Sequence, residues 1–434
     1  MKKVALRNLG CKVNAYETEA MQEMLENKGY EIVPFDEGAD IYIVNTCTVT
    51  NIADRKSRQM LHKAKKLNPK AIVVAAGCYV QANEKVDESI DVVIGNNKKK
   101  NIAEILEEYM HGNAQEEVYK DCIDINKTRE YESLELTKSA GHTRAFLKIQ
   151  DGCNLFCTYC IIPFARGRSR SRDIKSIKEE VIRLAGNGYK EIVLTGIHIS
   201  SYGIDFAEEG EAKNHLLSLL TEIHDIEGIE RIRLSSLEPR IIKEEFVKEL
   251  KKLRKICPHF HLSLQSGCNA TLERMRRRYT AEEYKESCSI LRKYYEEPAI
   301  TTDIIVGFPG ETLEEFAQTE AFVEEIGFYE THLFKYSRRE GTKAAQMENQ
   351  IPEREKARRS EVLKKIHSRK QKEYEEKQIG KEIEILVEEV KKKDGKAYAV
   401  GYTPQYIKVE FETEEDLENQ IIKKVLKKSL QIIH

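Results

Sequence analysis

The sequence predicts an α/β protein in three parts: an N-terminal doubly wound parallel sheet, a central open (β/α)6 barrel and a small C-terminal β-barrel. Short apolar runs alternate with amphipathic helical stretches over residues 3–98, and a second such rhythm begins at Thr143, which is typical of parallel α/β sheets. A change near Gly380 to short β-like runs split by turn residues predicts the small barrel. The predicted boundaries are 1–112 for the first domain, 113–138 for a polar linker, 139–372 for the second domain and 373–434 for the third.

Length and composition set the class of protein. The chain has 434 residues, and at roughly 150 residues per domain this suits two to four domains. Its 71 basic and 73 acidic side chains give a net charge of -2, so the overall charge neither requires nor excludes a nucleic-acid partner. No stretch approaches the ~20 apolar residues of a membrane span, and the start lacks the apolar run of a signal peptide. We therefore expect a cytoplasmic protein with reduced cysteines and no membrane contact.

In the first domain, strands are predicted at KVALRNLG, DIYIVNT, AIVVAAG and SIDVVIG, with helices over residues 17–28 and 52–66. Cys11, Cys47 and Cys78 each follow one of the first three strands. The carboxyl ends of such strands share one edge, where ligands bind. We therefore expect these thiols to converge on an iron–sulfur cluster or a zinc ion. The alternative is three buried free cysteines that pack as small hydrophobic residues.

The second domain is predicted from six βα repeats, with strands at AFLKIQ, EIVLTG, RIRLSS, HLSLQS, DIIVGFPG and HLFKYS. In a (β/α) barrel, active sites form at the carboxyl ends of the strands. The residues that fall at these ends are Gly196, Ser236, Glu238, Gln265 and the segments 307–312 and 336–342. Their shared position predicts a cofactor cleft.

The segment CNLFCTYC follows the first of these strands and places Cys153, Cys157 and Cys160 on one short loop. Cysteine thiolates are the usual ligands of iron–sulfur clusters, and three ligands for four irons leave one iron open. A structural zinc site would usually supply four ligands, and ten cysteines in 434 residues do not suit a disulfide scaffold. The loop therefore predicts an iron–sulfur cluster. The cysteines without ligand spacing, predicted to be bystanders, are Cys122, Cys257, Cys268 and Cys288.

The third domain follows EREKARRSEVLKKIHSRKQKEYEEK, which is predicted to be one long helix. Turn signals at Asp394-Gly395 and Thr403-Pro404 separate the strand-like runs KEIEILVEEV, KAYAVGYT and QYIKVEFE. From Arg369 to the end, basic and acidic residues balance at 14 each, so RNA contact would need one face, such as residues 391–393 or 423–428. Two other basic runs, FARGRSRSR and RMRRRY, suit either phosphate contacts or a solvated helix face.

Four segments carry a family resemblance. CNLFCTYC resembles the cluster-binding signature of radical S-adenosylmethionine enzymes, and LGCKVNAYETE, NTCTVT and AAGCYVQ resemble the N-terminal domain of the methylthiotransferases. GCKVN with NTCTVT is most similar to the bacterial branch acting on N6-threonylcarbamoyladenosine in tRNA. The isopentenyladenosine branch tends towards GCQMN and the ribosomal-protein branch towards GCPKN. The resemblance implies two 4Fe-4S clusters, a catalytic one on Cys153, Cys157 and Cys160 and an auxiliary one on Cys11, Cys47 and Cys78.

The resemblance also implies which other residues bind S-adenosylmethionine. The backbone at Gly196 would approach its amino group, because a missing side chain lets the chain come close. Glu238 would accept hydrogen bonds from its ribose hydroxyls, although a surface acid or a helix cap is an equally simple interpretation. Arg166 would bind its carboxylate, or substrate phosphates, through bidentate contacts. Tyr159 and Gln265 would line the same cleft.

For function, the resemblance implies methylthiolation, the replacement of C–H by C–S–CH3, at carbon 2 of N6-threonylcarbamoyladenosine next to the anticodon. The implied partners are the anticodon stem-loop of tRNA and an electron donor such as flavodoxin or ferredoxin, and the tail resembles a TRAM domain. Two alternatives remain open. One is the same chemistry on isopentenyladenosine or on a ribosomal-protein aspartate, and the other is a metal-stabilised RNA-binding protein without catalysis.

Overall fold

A computed structural model describes residues 2–83, 85, 87–112, 118–137, 143–206, 214–427 and 431–432. Both predicted ends of the linker, at 113 and 138, lie outside the described residues, as do the predicted start of the second domain at 139 and Lys428 of the basic tail segment. All three predicted parts are represented in the described residues.

The N-terminal part is a parallel sheet covered by helices. Its strands are β1 (Lys3–Asn8), β2 (Glu31–Ile32), β3 (Ile41–Thr46), β4 (Ile72–Gly77), β5 (Val92–Ile94) and β6 (Tyr119–Asp121). Its helices are α1 (Lys12–Asn27), α2 (Asn51–Leu67), α3 (Cys78–Ala82) and α4 (Ile102–His111). The strand order is β2-β1-β3-β4-β5-β6, with every pairing parallel. Alternate strand residues enter two separate hydrophobic clusters, so both faces of the sheet are covered.

The predicted linker contributes to this domain as well as connecting it to the next. Strand β6 extends the sheet beside β5, and Leu134 and Leu136 are buried against Tyr16 and Ala20 of α1. The sequence did not indicate β6 because only three residues pair and none of them is buried. The first structural unit therefore continues past residue 112.

The central part is built around six parallel strands. The strands here are β7 (Arg144–Lys148), β8 (Gln150–Asp151), β9 (Arg170–Ser171), β10 (Glu191–Thr195), β11 (Arg231–Leu234), β12 (His259–His261), β13 (Ala299–Val306) and β14 (Glu330–Lys335). The helices are α5 (Ile162–Arg166), α6 (Ile174–Gly186), α7 (His215–His224), α8 (Glu244–Lys252), α9 (Asn269–Arg274), α10 (Ala281–Tyr294), α11 (Leu313–Ile326) and α12 (Lys343–Gln346). Strands β8 and β9 form a short antiparallel pair beside the array.

The six parallel strands lie side by side in chain order and form one array. Strands β7, β10 and β11 make one sheet, and β12, β13 and β14 make another. Parallel bridges between Ile232 and Ile256 and between Leu237 and Leu262 join the two sheets. Within the described residues the outer strands β7 and β14 do not pair, so the array is open.

The two faces of this array differ in chemistry. One face buries residues such as Leu147, Ile192 and Ile232 in a hydrophobic cluster under the helices. Side chains alternate along a strand, so the remaining residues point to the opposite face, here called the inner face. The inner-face residues include Arg144, Lys148, Glu191, Arg231, Arg233, His259, His261, Asp303, Glu330 and His332. A barrel interior is usually filled by branched apolar side chains, so this polar lining indicates a binding surface.

One predicted strand is shifted in the structure. The fourth strand was expected over HLSLQS, whereas β12 covers His259–His261 and Gln265 adopts a left-handed conformation with φ 73°. A bridge between Gln265 and Ile304 restores the contact with β13. Non-glycine residues with positive φ are uncommon and cluster at functional sites.

The C-terminal part is a long helix followed by an antiparallel sheet. The elements are α13 (Glu353–Glu376), β15 (Glu382–Lys393), β16 (Lys396–Tyr402), β17 (Lys408–Thr413), β18 (Ile421–Val425) and β19 (Gln431–Ile432). The strand order is β18-β15-β16-β17-β19. The predicted long helix is confirmed, and it crosses the predicted boundary at residue 372. Among the described helices, including this one, none is both long and apolar enough to cross a membrane.

Candidate functional site

Three cysteines meet at the carboxyl edge of the N-terminal sheet. Cys11 follows β1 and precedes α1, Cys47 follows β3, and Cys78 opens α3 after β4. Because these strands are neighbours in the sheet, the thiols lie close enough for their charges to interact. Gly10, at φ 102°, leaves space for them, since a Cβ there would lie 2.7 Å from the sulfur of Cys47. The structure thus brings together Cys11, Cys47 and Cys78, here called the sheet trio.

The surroundings of the sheet trio fit an iron–sulfur cluster. Desolvation raises the pKa of Cys47 to about 12 and also raises the pKa of Cys11, so these thiols stay neutral unless a metal replaces the proton. N–H groups point at the third sulfur: Nε of Arg166 donates to Sγ of Cys78 at 3.2 Å, and Nδ2 of Asn96 donates to it at 3.5 Å. Hydrogen bonds to cluster sulfurs are one means by which proteins tune such clusters.

Arg166 contacts the sheet trio, whereas the prediction placed it against the cofactor. Its guanidinium is fully buried, and each of its five N–H groups has an acceptor. The acceptors are Sγ of Cys78 and oxygens of Glu17, Asp151 and Asn14. Despite desolvation, Arg166 lowers the pKa values of the two carboxyl groups. No donor of Arg166 is left for a cofactor carboxylate.

Glu17 ties helix α1 to the central array. Lys99, Lys148 and Arg166 surround its carboxylate, with Nζ of Lys148 at 2.7 Å. Lys148 ends β7 and also pairs with Asp151 at 2.7 Å. All of these side chains are buried, and a buried charge without its partner is strongly destabilising. The network therefore fixes the sheet trio relative to the strand that leads to the second cysteine group.

That second group, Cys153, Cys157 and Cys160, is called the loop trio. Nη1 of Arg277 donates to Sγ of Cys157 at 3.3 Å. Desolvation raises the pKa of Cys153 to about 11 and raises the pKa of Cys160 further. The two groups are therefore alike: in each, desolvation raises the pKa of two thiols, and a guanidinium is directed at the third sulfur.

The loop that carries these cysteines is held against α9. The N–H of Thr158 donates to the carbonyl oxygen of Met275, and its hydroxyl donates to the carbonyl oxygen of Arg274 at 2.9 Å. Phe156 takes a left-handed conformation with φ 52°, which folds the loop tightly between two of its cysteines. The backbone at the end of α9 therefore fixes the loop.

The strand-end residues predicted from the sequence take different places around the loop trio. Glu238 is buried, accepts a hydrogen bond from Nη2 of Arg240 at 2.8 Å, and influences Cys153 electrostatically. Gly196 packs against Gln150, whose carbonyl oxygen would lie 3.0 Å from a Cβ at position 196. The structure therefore places Glu238 beside the loop trio and shows a packing reason for Gly196.

A cavity of about 220 Å³ is lined from both domains. Val49 and Thr50 come from the segment after Cys47, and Tyr159 and Cys160 come from the loop trio's segment. Gln265 contributes from the central array. Two of the predicted cofactor-cleft residues, Tyr159 and Gln265, thus meet at one cavity with a cysteine of the loop trio.

Arg339 joins the two domains at this cavity, and the sequence did not single it out. Its guanidinium donates to Asn51 at 2.6 Å, Asp54 at 2.7 Å and Thr48 at 2.6 Å. It is buried and lies in the segment after β14, one of the predicted strand ends. These contacts hold the segment after Cys47 against the central array.

Polar groups continue from the cavity onto the inner face. His261 hydrogen-bonds through one ring nitrogen to Thr301 at 2.9 Å and through the other to Asp303 at 3.1 Å. His332 completes a group whose ligand atoms lie within 4.8 Å of one another. These three side chains form a polar wall on the inner face.

Lys12, the first residue of α1, reaches the inner face. The residue is exposed, yet the charges acting on its ammonium belong to Arg233, Arg144, Glu191 and Glu330, which stand on four strands of the array. Desolvation, followed by the two arginines, lowers the pKa of Lys12 to about 8. The residue next to Cys11 is therefore directed towards the array.

Three exposed arginines lie beside the loop trio. Arg168, Arg276 and Arg278 line a surface depression with Phe156, and the guanidinium of Arg168 lies 4.5 Å from the ring centre of Phe156. In RMRRRY, by contrast, Arg274 pairs with a glutamate of α11. The predicted basic runs thus come together in part, and we call the three exposed arginines the arginine patch.

The cysteines predicted to be bystanders are buried or packed against a hydrophobic cluster, whereas the polar inner face was not predicted. Cys257, Cys268 and Cys288 are buried, and Cys122 packs against a hydrophobic cluster of the N-terminal domain. A signal for the inner face was present in part: arginine occupies every second position of RIRL, histidine occupies every second position of HFH, and polar residues stand at both ends of RAFLK and EIVLT. This pattern could have predicted polar groups on the inner face.

Known proteins resemble this chain in both halves. Residues 147–323 match the Radical SAM superfamily, and residues 3–95 match the Uncharacterized protein family UPF0004. The threonylcarbamoyladenosine tRNA methylthiotransferase MtaB of Bacillus subtilis (strain 168) is 42% identical over 433 residues, which covers 98% of this chain and 94% of that protein. The protein of the same name from Aquifex aeolicus (strain VF5) is 44% identical and covers 89% and 92%. A tRNA-2-methylthio-N(6)-dimethylallyladenosine synthase of Thermoanaerobacter sp. (strain X514) is 37% identical and covers 90% and 83%.

Solved structures show the same fold at low identity. The radical S-adenosylmethionine methyltransferase TsrM from Kitasatospora setae matches with a TM-score of 0.55 at 17% identity, covering 77% of this chain and 73% of that chain. The likeness concerns the fold alone.

The loop trio at the end of a parallel strand, together with the superfamily match, defines this protein as a radical S-adenosylmethionine enzyme. That class implies a 4Fe-4S cluster and S-adenosylmethionine. The relatives that match nearly the whole chain narrow the assignment: the chain belongs to the tRNA methylthiotransferase family.

Proposed function

We propose that this protein methylthiolates carbon 2 of N6-threonylcarbamoyladenosine next to the anticodon of tRNA. Two relatives named for that nucleoside are 42% and 44% identical to the chain, compared with 37% for the dimethylallyladenosine synthase. The observation that carries the proposal is the cavity lined by Val49 and Thr50 from one domain and by Tyr159 and Cys160 from the other. A reaction that breaks a C–H bond and places sulfur on the same carbon needs both cysteine groups at one substrate.

Each trio is proposed to hold one 4Fe-4S cluster. When bound, the loop cluster with S-adenosylmethionine supplies a 5′-deoxyadenosyl radical, and the auxiliary cluster supplies sulfur. The chain's own residues position these groups. Arg277 directs an N–H at Cys157, and Arg166 directs one at Cys78. The buried ion pairs of Glu17 fix the position of the sheet trio relative to the loop trio.

Four residues are proposed to contact the cofactor. Glu238, beside the loop trio, is proposed to accept hydrogen bonds from the ribose hydroxyls, and Tyr159 and Gln265 to line the cofactor in the shared cavity. Gly196 is proposed to bring the backbone close to the cofactor's amino group. Arg166, whose donors are all occupied, is now proposed to hold the sheet trio.

The architecture suits a tRNA substrate. We interpret the six-stranded array as an open (β/α)6 barrel and the tail sheet as a TRAM-like barrel. A base in a single-stranded loop can be splayed out and bound by its edge, so the anticodon loop is proposed to enter the shared cavity. A small electron carrier such as flavodoxin or ferredoxin is proposed as the reductant, acting in the cytoplasm.

Anaerobic reconstitution tests this proposal. The wild-type chain is expected to bind about eight irons, from two four-iron clusters, to form 5′-deoxyadenosine, and to convert the threonylcarbamoyl nucleoside of tRNA to its methylthio product. The triple variant Cys11→Ser, Cys47→Ser and Cys78→Ser is the matched control. It should keep about four irons and 5′-deoxyadenosine formation but yield no methylthio product by nucleoside mass spectrometry.

The outcomes separate the competing functions. A methylthio product on isopentenyladenosine alone would replace the proposed substrate. Four irons or none without 5′-deoxyadenosine would instead indicate a metal-stabilised RNA-binding protein.

A further inference from the structure

The cavity shared by the two domains has an exposed apolar side chain from each of them. Phe334 of β14 and Val49 of the segment after Cys47 both line it, and their exposed fractions are 43% and 49%. Single exposed apolar residues are common on protein surfaces, but apolar side chains that are exposed together in a cavity mark a binding site. Phe334 and Val49 are here called the apolar pair.

The strand that carries Phe334 explains the direction of its ring. Side chains alternate along a strand, and the preceding residue, Leu333, packs against the hydrophobic cluster under the helices. Phe334 therefore points to the inner face, next to Ile305 of β13, which is its partner in the strand register. Ile305 lines the same cavity, so the ring continues an apolar part of the cavity wall.

The ring of Phe334 differs from the other aromatic rings that line the cavity. Tyr159 and Tyr336 each pack edge-on against Phe308, with 6.3 Å and 5.5 Å between ring centres. In the part of the chain that the structure describes, no other ring and no cation packs against the ring of Phe334. Its exposed face is therefore available to a planar ligand.

Hydrogen bonds fix the two sides of the cavity relative to each other. The N–H of Asn51, two residues after Val49, donates to Oγ of Ser337 at 3.1 Å, and the side-chain amide of Asn51 donates to the carbonyl oxygen of Arg338 at 3.1 Å. The segments that carry the apolar pair are thus bonded to each other. A site that is held in shape before its ligand arrives loses less freedom on binding.

The place of the apolar pair suits the base that reacts. Val49 stands two residues after Cys47 of the sheet trio, and Cys160 of the loop trio lines the same cavity. A planar base in this cavity lies beside a cysteine group from each domain, as a reaction that breaks a C–H bond and adds sulfur requires. Bases of single-stranded RNA are bound by stacking on aromatic side chains, and Phe334 offers such a face.

We propose that Phe334 is the platform on which the target adenine stacks, with Val49 as the second apolar contact of the base. This inference rests on the proposed function and names the residues that position its substrate. The adenine of S-adenosylmethionine is also a planar base, as are the neighbours of the target in the loop, so the test separates these sources.

The experiment measures binding of anticodon stem-loops to the reconstituted full chain by fluorescence anisotropy. Three RNAs are compared: one with the modified adenosine, one without a base at that position, and one without a base at the next position. The protein variants are Phe334→Leu, which removes the ring but keeps an apolar side chain, Phe334→Tyr, which keeps the ring, and Phe164→Leu. Phe164 is the matched control, because 45% of it is exposed and it stands outside the residues that line the cavity.

Phe334→Leu should bind the RNA with the modified adenosine about tenfold more weakly than the wild type does, the scale of one stack between a base and a ring. It should bind the RNA without the target base as tightly as the wild type does, because the ring then has no partner to lose. Phe334→Tyr and Phe164→Leu should match the wild type with all three RNAs. Iron content, and the KM for S-adenosylmethionine in 5′-deoxyadenosine formation, should be the same in every variant.

Four results would overturn the proposal. The first is an unchanged affinity of Phe334→Leu for the RNA with the modified adenosine. The second is an equal loss of affinity for the RNA without the target base, because the ring would then act through another part of the RNA or through the fold. A loss that disappears only when the neighbouring base is missing would assign the ring to that neighbour. A raised KM for S-adenosylmethionine with unchanged RNA binding would assign it to the cofactor.

The proposed function is tested separately in the same samples. If wild-type protein forms 5′-deoxyadenosine but no methylthio product from the RNA with the modified adenosine, the proposed substrate is wrong. If it forms the product while Phe334→Leu binds all three RNAs like the wild type, only the role of Phe334 is wrong.

Discussion

At the scale of single residues, the site depends on charges that are buried in pairs. Arg166 pairs with two buried carboxylates and directs an N–H at Cys78, and Arg277 directs an N–H at Cys157. Removing one member of a buried ion pair leaves the other uncompensated, which is more destabilising than never having had the pair. These residues therefore affect stability and cluster binding together.

Replacing Arg166 by methionine should destabilise the protein and its sheet trio. The change leaves Glu17 and Asp151 with fewer buried partners, so we expect the free energy of unfolding to fall by about 3 kcal/mol. Urea denaturation followed by circular dichroism measures this, and iron content reports the sheet trio. Arg168→Met, an exposed arginine two positions away, is the control and should change neither quantity. Equal stability of the two variants would contradict the proposed role of Arg166.

His198 predicts a pH dependence of stability. Burial lowers its pKa to about 4, with Glu238 opposing the effect, while an unfolded histidine has a pKa of about 6.5. Between these values the unfolded chain binds a proton that the folded chain does not, so this contribution is complete above about pH 6.5 and is lost as the pH falls towards 4.

The size of this effect can be checked with one substitution. When the pH falls from about 7 to about 5, the proton that His198 takes up on unfolding should lower the free energy of unfolding by about 2 kcal/mol. Urea denaturation at the two pH values measures this decrease, and His198→Gln should make the decrease smaller by the same amount. The same difference in the parent and the variant would show that His198 does not titrate in this way.

At the scale of secondary structure, local sequence signals were most reliable where backbone geometry is restrictive. The turn predicted at Asp394-Gly395 is confirmed: both residues have positive φ, 50° and 78°, and they join β15 to β16, as two-residue hairpins require. The short edge strands β2, β6 and β19 carried no such signal, because two or three paired residues show no periodicity.

Gly395→Ala should weaken this hairpin. A Cβ at position 395 would meet no atom within 4 Å, so the loss of about 1 kcal/mol arises from the left-handed backbone alone. Amide hydrogen exchange in β15 and β16 should become faster. The control is Gly186→Ala at the end of α6, which also has open space but should gain about 0.5 kcal/mol in stability, because alanine favours a helix. Slower exchange in the Gly395 variant would contradict this account.

At the scale of the whole molecule, the site exists only because two domains are held against each other. Arg339 fixes the segment after Cys47 to the end of β14, and the network of Glu17 joins α1 to β7. The tail sheet closes the opposite side of the array, where Arg231 bonds to Glu384 and to the carbonyl oxygen of Tyr402. The arginine patch then lies on the outside, beside the loop trio.

The arginine patch should carry much of the salt dependence of tRNA binding. Replacing Arg168, Arg276 and Arg278 by glutamine removes up to three phosphate contacts, so the slope of log affinity against log salt should fall by about 2 for single-stranded RNA. Binding of an anticodon stem-loop at several salt concentrations measures the slope. The control replaces Lys391, Lys392 and Lys393 of the tail by glutamine and should leave it nearly unchanged. A larger effect of the tail variant would move the RNA contact to the tail sheet.

The sequence by itself determined the six cysteines as ligand candidates, the order of the three parts and the class of chemistry. It could do so because cysteine spacing and strand-helix alternation are local patterns, and because strand ends of a parallel sheet converge by topology. The contacts of Arg166 and Arg339, by contrast, were decided only by the tertiary structure. Each depends on a partner at a distant position in the chain, and no local pattern records which buried charge a given arginine or lysine meets.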